Sequence, residues 1–139
     1  MIAPRLDPAD WADFRRYAHR MLDHAIGHVE TVRERPVWQP LPARVKQAIA
    51  EPLPLAPQGY AAVGRDFEDN VLPYATGNTH PRFLGWVHGS GTAGGIVAEM
   101  LAAAMNANVG GREHAAVYVE RQVIDWSRQI LRGKFGASL

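Results

Sequence analysis

Six prolines crowd into one interval of this chain: Pro36, Pro40, Pro42, Pro52, Pro54 and Pro57. Each lacks a backbone N–H and locks φ, so none tolerates the interior of a helix or of a central strand. Residues 36–58 therefore read as an extended segment with one short helix, about 43–50, held between Pro42 and Pro52. So long a stretch with little regular structure is uncommon inside a compact domain. The expectation is an arm laid across a larger surface.

Helical periodicity flanks the arm on both sides. Asp7 and Pro8 suit a helix N-cap and first turn. From Trp11 to Val32 apolar residues recur at three- and four-residue steps, predicting an amphipathic helix from about residue 8 to 35. A helix that long exceeds what a domain of 139 residues needs, so its apolar face is expected to continue onto another chain or a further part. A second helix is predicted over 60–74, with Phe67, Val71 and Leu72 facing in, Gly64 weakening it and Pro73 ending it. A third, about 91–107, carries a broad apolar face of Ile96, Val97, Met100, Leu101, Ala104 and Met105 and stops at Val109-Gly-Gly111. A fourth, about 113–132, has Val119, Val123, Trp126 and Ile130 in one stripe and an Arg121–Asp125 pair on its wet side. Arg82–Val87 is the one candidate strand. The fold class is mainly α, with four to five helices and a proline-rich arm, as a single segment: long helix 1–35, arm 36–58, and helices flanking a loop over 59–139.

Composition narrows the function classes. Fifteen basic and fourteen acidic residues leave a net charge of +1, so neither a nucleic-acid nor a membrane footprint is expected. There is no cysteine, which removes disulfides and thiolate metal sites. The first residues hold no signal-like apolar run, and 89–111 is rich in Gly and Ala and broken by Glu99, Asn106 and Asn108, unlike a membrane span. A soluble, cytoplasmic protein is the expectation.

The segment THPRFLGWVHGSGTAGG (79–95) concentrates the unusual chemistry. Gly89-Ser-Gly-Thr-Ala-Gly94 matches G-x-G-x-x-G, but a dinucleotide cradle needs that loop inside a βαβ unit, and 91–132 reads as helix, turn, helix. A nucleotide-binding protein is thus the weakest reading, and binding of NAD or ATP would be its test. Ser90 is no nucleophile elbow, because His88 stands where that motif needs glycine. His24 and His28 have metal-ligand spacing, yet two ligands do not make a site, and no metal is expected. Trp86 and His88 beside a glycine-rich backbone suit a wall of a small-molecule pocket, or a loop whose Trp plugs the core.

The runs HPRFLGWVHGSGT (80–92), AEMLAAA (98–104), NANVGG (106–111) and VERQVIDW (119–126) resemble the N-terminal region of group II pyridoxal-phosphate-dependent decarboxylases. That family includes the aromatic-L-amino-acid, histidine and glutamate decarboxylases, and the resemblance covers about 14–135. It implies a segment that wraps a second subunit, within a type I PLP-transferase α/β fold whose sheet domain lies outside this chain. It implies substrate-pocket positions at Trp86, Val87, His88 and Gly89, and at Asn108 and Gly110 positions reaching the neighbouring subunit's pocket. Many relatives carry an aromatic or Pro-Thr pair where this chain has Val-His-Gly-Ser, so substrate identity does not transfer.

The resemblance also implies that pyridoxal phosphate serves the complete enzyme, through a phosphate loop, a ring-stacking histidine, an aspartate and a Schiff-base lysine. Neither Lys46 nor Lys134 stands in the family's His-Lys context, and the phosphate loop is expected beyond Leu139. The expectation is an N-terminal decarboxylase segment, a truncated product or one half of a split enzyme, inactive alone and binding no cofactor by itself. Its expected partners are a second copy or a complementary C-terminal chain, with a small amino acid as substrate. The alternative is a stand-alone helical dimerisation or interaction module without catalysis.

Overall fold

The computed structural model describes residues 7–108, 110–111 and 113–135. Five α-helices follow one another: α1 Trp11–Glu30, α2 Ala43–Ile49, α3 Tyr60–Asp66, α4 Ala93–Met105 and α5 Ala115–Phe135. No strand occurs among the described residues, so Arg82–Val87 is not the strand its sequence allowed; it forms turns and bends. The chain divides into two compact units, one up to Ile96 and one from Val97 onward.

α1 is shorter at both ends than the helix predicted over 8–35. Asp10, not Asp7, is the N-cap: its carboxylate accepts from the backbone N–H groups of Ala12 at 2.7 Å and Asp13 at 3.2 Å. That satisfies two donors otherwise left without partners, directly before Trp11, the first residue of the stripe. At the other end the Thr31 hydroxyl donates to the Gly27 carbonyl at 2.7 Å, and the Arg35 guanidinium donates to the His28 carbonyl. The Gly27 carbonyl also accepts the Thr31 backbone N–H at 3.0 Å, so the last turn is held by backbone and side chains together. The chain then winds more tightly through a 3-10 turn, Val32–Glu34, before Pro36. The 20 residues of α1 thus span roughly 30 Å.

In the first unit α1 packs on α3, and α2 packs on the π-turn Phe67–Val71 that extends α3. The helical path 60–74 changes winding twice, from α to π and then to the 3-10 turn Leu72–Tyr74 around Pro73. Phe14, Tyr17 and Tyr60 stack between α1 and α3, with ring centroids 4.9 Å apart for Phe14–Tyr60 and 5.9 Å for Tyr17–Tyr60. Gly64 makes this contact possible: a Cβ there would lie 2.6 Å from the Tyr17 hydroxyl and 3.2 Å from Met21 Sδ. The residue that weakens the helix by propensity is buried, and its missing side chain is what lets α1 approach.

The arm folds back on the same unit. Gln39 donates to the Pro73 carbonyl at 2.8 Å, and Arg44 donates to the Tyr74 hydroxyl at 3.2 Å. Gly77, at φ +82, meets Val37 so closely that a Cβ would fall 1.8 Å from its carbonyl oxygen. Val45, inside α2, is the one fully buried large side chain among the described residues. Phe67 and Val71, expected inside, are exposed.

In the second unit α4 ends at Asn106, which takes φ +43 and donates its N–H to the Ala102 carbonyl at 2.9 Å. Asparagine tolerates this left-handed position, so the helix stops before the glycines expected to end it; Val109 lies outside the described residues. α5 continues past Arg132 and includes the backbone of Lys134, which the sequence suggested for a tail. On its wet side Asp125 pairs with Arg128 at 3.8 Å and with Gln129 at 3.1 Å, while Arg121 covers the Tyr118 ring instead. Val119, Val123, Trp126 and Ile130 form the predicted stripe, yet Trp126 is 57% and Ile130 62% exposed. Within this unit α4 and α5 share no packed contact. Among the described residues no helix is long and apolar enough to cross a membrane.

Gly64→Ala should lower the stability of the first unit by about 1–3 kcal/mol in chemical denaturation, through overpacking against Tyr17 and Met21. Gly27→Ala, where a Cβ meets nothing within 4 Å, should instead stabilise by up to about 1 kcal/mol through helix propensity.

Candidate functional site

The loop 78–89 is closed at its base. Asn78 Nδ2 donates to the Gly89 carbonyl at 2.7 Å, and the Thr76 hydroxyl fixes the amide by donating to Asn78 Oδ1 at 2.9 Å. At the foot stands His80, only 4% exposed. Its N–H donates to the Gly77 carbonyl and its carbonyl accepts from the Phe83 N–H, both at 2.9 Å. Its ring Nδ1 accepts from the Arg82 N–H at 3.0 Å, which places the ring proton on Nε2. Among the described residues that proton has no hydrogen-bond partner, a cost of about 1–3 kcal/mol.

The far side of the loop is open. Trp86 is 85% exposed and Val87 fully so, and His88 and Gly89 are exposed as well. Trp86 therefore plugs no core among the described residues. Trp86 holds φ +41, a strained conformation for a bulky residue that costs about 1–3 kcal/mol. Three rings brace the turn: Phe83 meets His88 edge-on at 5.9 Å, and His88 lies 5.8 Å from Trp86. Gly85 leaves room for this, since a Cβ there would sit 2.9 Å from the tip of the Phe83 ring.

Asn108 and Gly110 share a turn in the second unit. Asn108 Oδ1 accepts the Gly110 N–H at 2.8 Å, and the Asn108 carbonyl lies 2.7 Å from His114 Nε2, which therefore donates to it. Met105, Asn108, Gly110 and His114 line an open concavity of about 560 Å³ at the start of α5. Nearby, the Tyr118 hydroxyl donates to the Glu113 carboxylate, which raises its pKa.

The histidines of α1 have different surroundings. His24 Nδ1 meets the Glu68 carboxylate, tying α1 to the π-turn. His28 is half-buried, and burial together with the charge of Arg35 lowers its pKa from 6.5. Among the described residues no three His, Asp or Glu side chains gather as a metal site. In the G-x-G-x-x-G stretch no close packing requires the glycines: a Cβ on Gly89, Gly91 or Gly94 would meet no atom within 4 Å. His80 and Asn78 lie outside the candidate pocket residues, and neither carries a periodic or motif signal for its place in the loop.

The chain matches an aromatic-L-amino-acid decarboxylase of Catharanthus roseus at 29% identity over 90% of its own length and 26% of that protein's. It matches tyrosine decarboxylase 1 of Narcissus pseudonarcissus at 27% over 91% of this chain and 25% of that one. This chain is related to the aromatic amino-acid decarboxylases. A tyrosine decarboxylase of Papaver somniferum, 27% identical, matches over 90% of the chain. The chain spans about a quarter of the length of the curated relatives it matches. No family model and no solved structure matches it.

The His28 shift carries a pH signature. Above pH 6.5 the residue is neutral folded and unfolded and contributes nothing. As pH falls below that value the unfolded chain takes up the proton first, so stability drops until pH passes the lowered folded pKa. Thermal melting should show a steeper loss on acidification in the parent chain than in His28→Asn.

Proposed function

We propose that this chain is the N-terminal, substrate-side segment of a pyridoxal-phosphate-dependent amino-acid decarboxylase. Its loop Trp86-Val87-His88-Gly89 supplies a pocket wall, and Asn108 and Gly110 reach the pocket of a neighbouring subunit. The observation that carries this is the relationship over nine tenths of the chain to a quarter of each decarboxylase, together with a braced, aromatic-bearing loop that faces outward. In this reading the helices belong to a type I PLP-transferase fold. The arm and the apolar faces of α1, α4 and α5 lie on a second copy or on a complementary chain that brings the sheet domain.

The described residues do not fit the cofactor by themselves. Lys46 stands exposed on α2, outside the family's His-Lys context, and a Cβ on Gly89, Gly91 or Gly94 would meet no atom within 4 Å. When bound, the cofactor supplies an electron sink for loss of the substrate carboxylate as CO2. Binding and orienting the amino acid is the part this chain plays.

The test is complementation. The chain alone, given pyridoxal phosphate and an aromatic amino acid, should release no CO2. Mixed with a decarboxylase chain lacking the matching quarter, it should restore turnover, and Trp86→Ala should cut kcat/KM by about 10- to 100-fold. Stoichiometric imine formation at a lysine of this chain alone would contradict the reading. The second reading is a helical dimerisation or interaction module, favoured by the exposed stripe of α5. It predicts a stable complex with no turnover.

A further inference from the structure

We propose that His80 is the positioning residue of the outward-facing loop edge: from its buried place at the foot it sets where Trp86 and His88 stand. The inference rests on the pocket-wall reading for its functional consequence, and on geometry alone for the positioning itself. One side chain and its own peptide groups hold Gly77, just before the loop, and Arg82 and Phe83 within it. Phe83, held through its N–H by the His80 carbonyl, carries the restraint outward: its ring edges onto His88, and His88 lies against Trp86. A continuous line of bonded or touching groups therefore runs from a residue 4% exposed to one 85% exposed. The Asn78–Gly89 clasp closes the other side, so the edge has little freedom to drift once its foot is fixed.

The contact that matters is the Nδ1 acceptor, not the bulk of the ring. A side chain that merely filled space at the foot would be replaceable by any ring of similar size. One that holds the Arg82 N–H needs an acceptor near the position of Nδ1. Asparagine offers that acceptor without the ring, and phenylalanine offers the ring without the acceptor.

The experiment is nuclear magnetic resonance on the full chain, with the Trp86 indole assigned by Trp86→Phe and its proximity to the His88 ring read as a cross-peak. His80→Asn should keep the cross-peak and His80→Phe should lose it; the reverse order would overturn the proposal. Ring nitrogen shifts of the unsubstituted chain give a measurement independent of any variant's folding. They should report the proton of His80 on Nε2, and a proton on Nδ1 would overturn the proposal, since that nitrogen could not then accept. In the complemented decarboxylase His80→Phe should raise KM about tenfold with kcat within about twofold, and His80→Asn should stay near the parent. If His80→Phe displaces Trp86 while Trp86→Ala leaves KM unchanged, the pocket-wall reading fails and the positioning stands. If His80→Phe leaves the cross-peak in place, the positioning fails whatever Trp86 does.

Discussion

Uncovered apolar surface is the constraint on which the rest of this structure depends. A fully buried valine stabilises a fold by about 1.5–3 kcal/mol, and among the described residues Val45 is the one large side chain so enclosed. The ordering of each residue costs about 1–2 kcal/mol of backbone entropy, so a stable domain must bury many such side chains. Here the stripe of α5 and Val97, Met100, Leu101 and Met105 of α4 are exposed, and the arm residues Leu53 and Leu55 stand in solvent. An amphipathic helix draws most of its stability from the surface against its apolar face. Among the described residues these helices leave their apolar faces little covered.

The first unit shows what the chain organises by itself. The aromatic stack over Gly64, the Asp10 cap, the His24–Glu68 link and the arm docked at Gly77 fix α1, α3 and the stem of the loop. Upon that stem the loop 78–89 is a small self-braced object. Its buried end carries the hydrogen bonds and its exposed end carries the rings. The strain at Trp86 and the unpaired Nε2 proton of His80 both lie in this loop, where backbone and polar costs are characteristic of sites that bind. This organisation fixes the exposed rings from the buried foot of the loop.

Much of the fold is legible in the sequence because helix periodicity and proline are local signals. Prolines 36–57 dictate the arm and the short α2 almost to the residue, and the breadth of the α4 and α5 stripes by itself implies faces that a chain of this length leaves uncovered. The errors lie where tertiary contact overrides local preference. Asp7 and Asp10 are equivalent by type, and only the backbone donors they reach separate them. Gly64 reads as a helix weakness until Tyr17 is placed above it. The 82–87 run has the composition of a strand but no neighbour to pair with among the described residues. His80 gives no periodic or motif signal for its role, because that role depends on which donors the turn folds beneath it. Trp86 and His88 stand out by composition, and the geometry shows them adjacent and outward-facing.

The measurement that bears most directly on these uncovered faces is sedimentation equilibrium of the chain alone over a wide range of concentration. Apolar faces left open within their own unit predict concentration-dependent self-association, with the average mass rising well above that of one chain. A single species of 15.3 kDa at every concentration would contradict it, because such a chain would have covered those faces by itself.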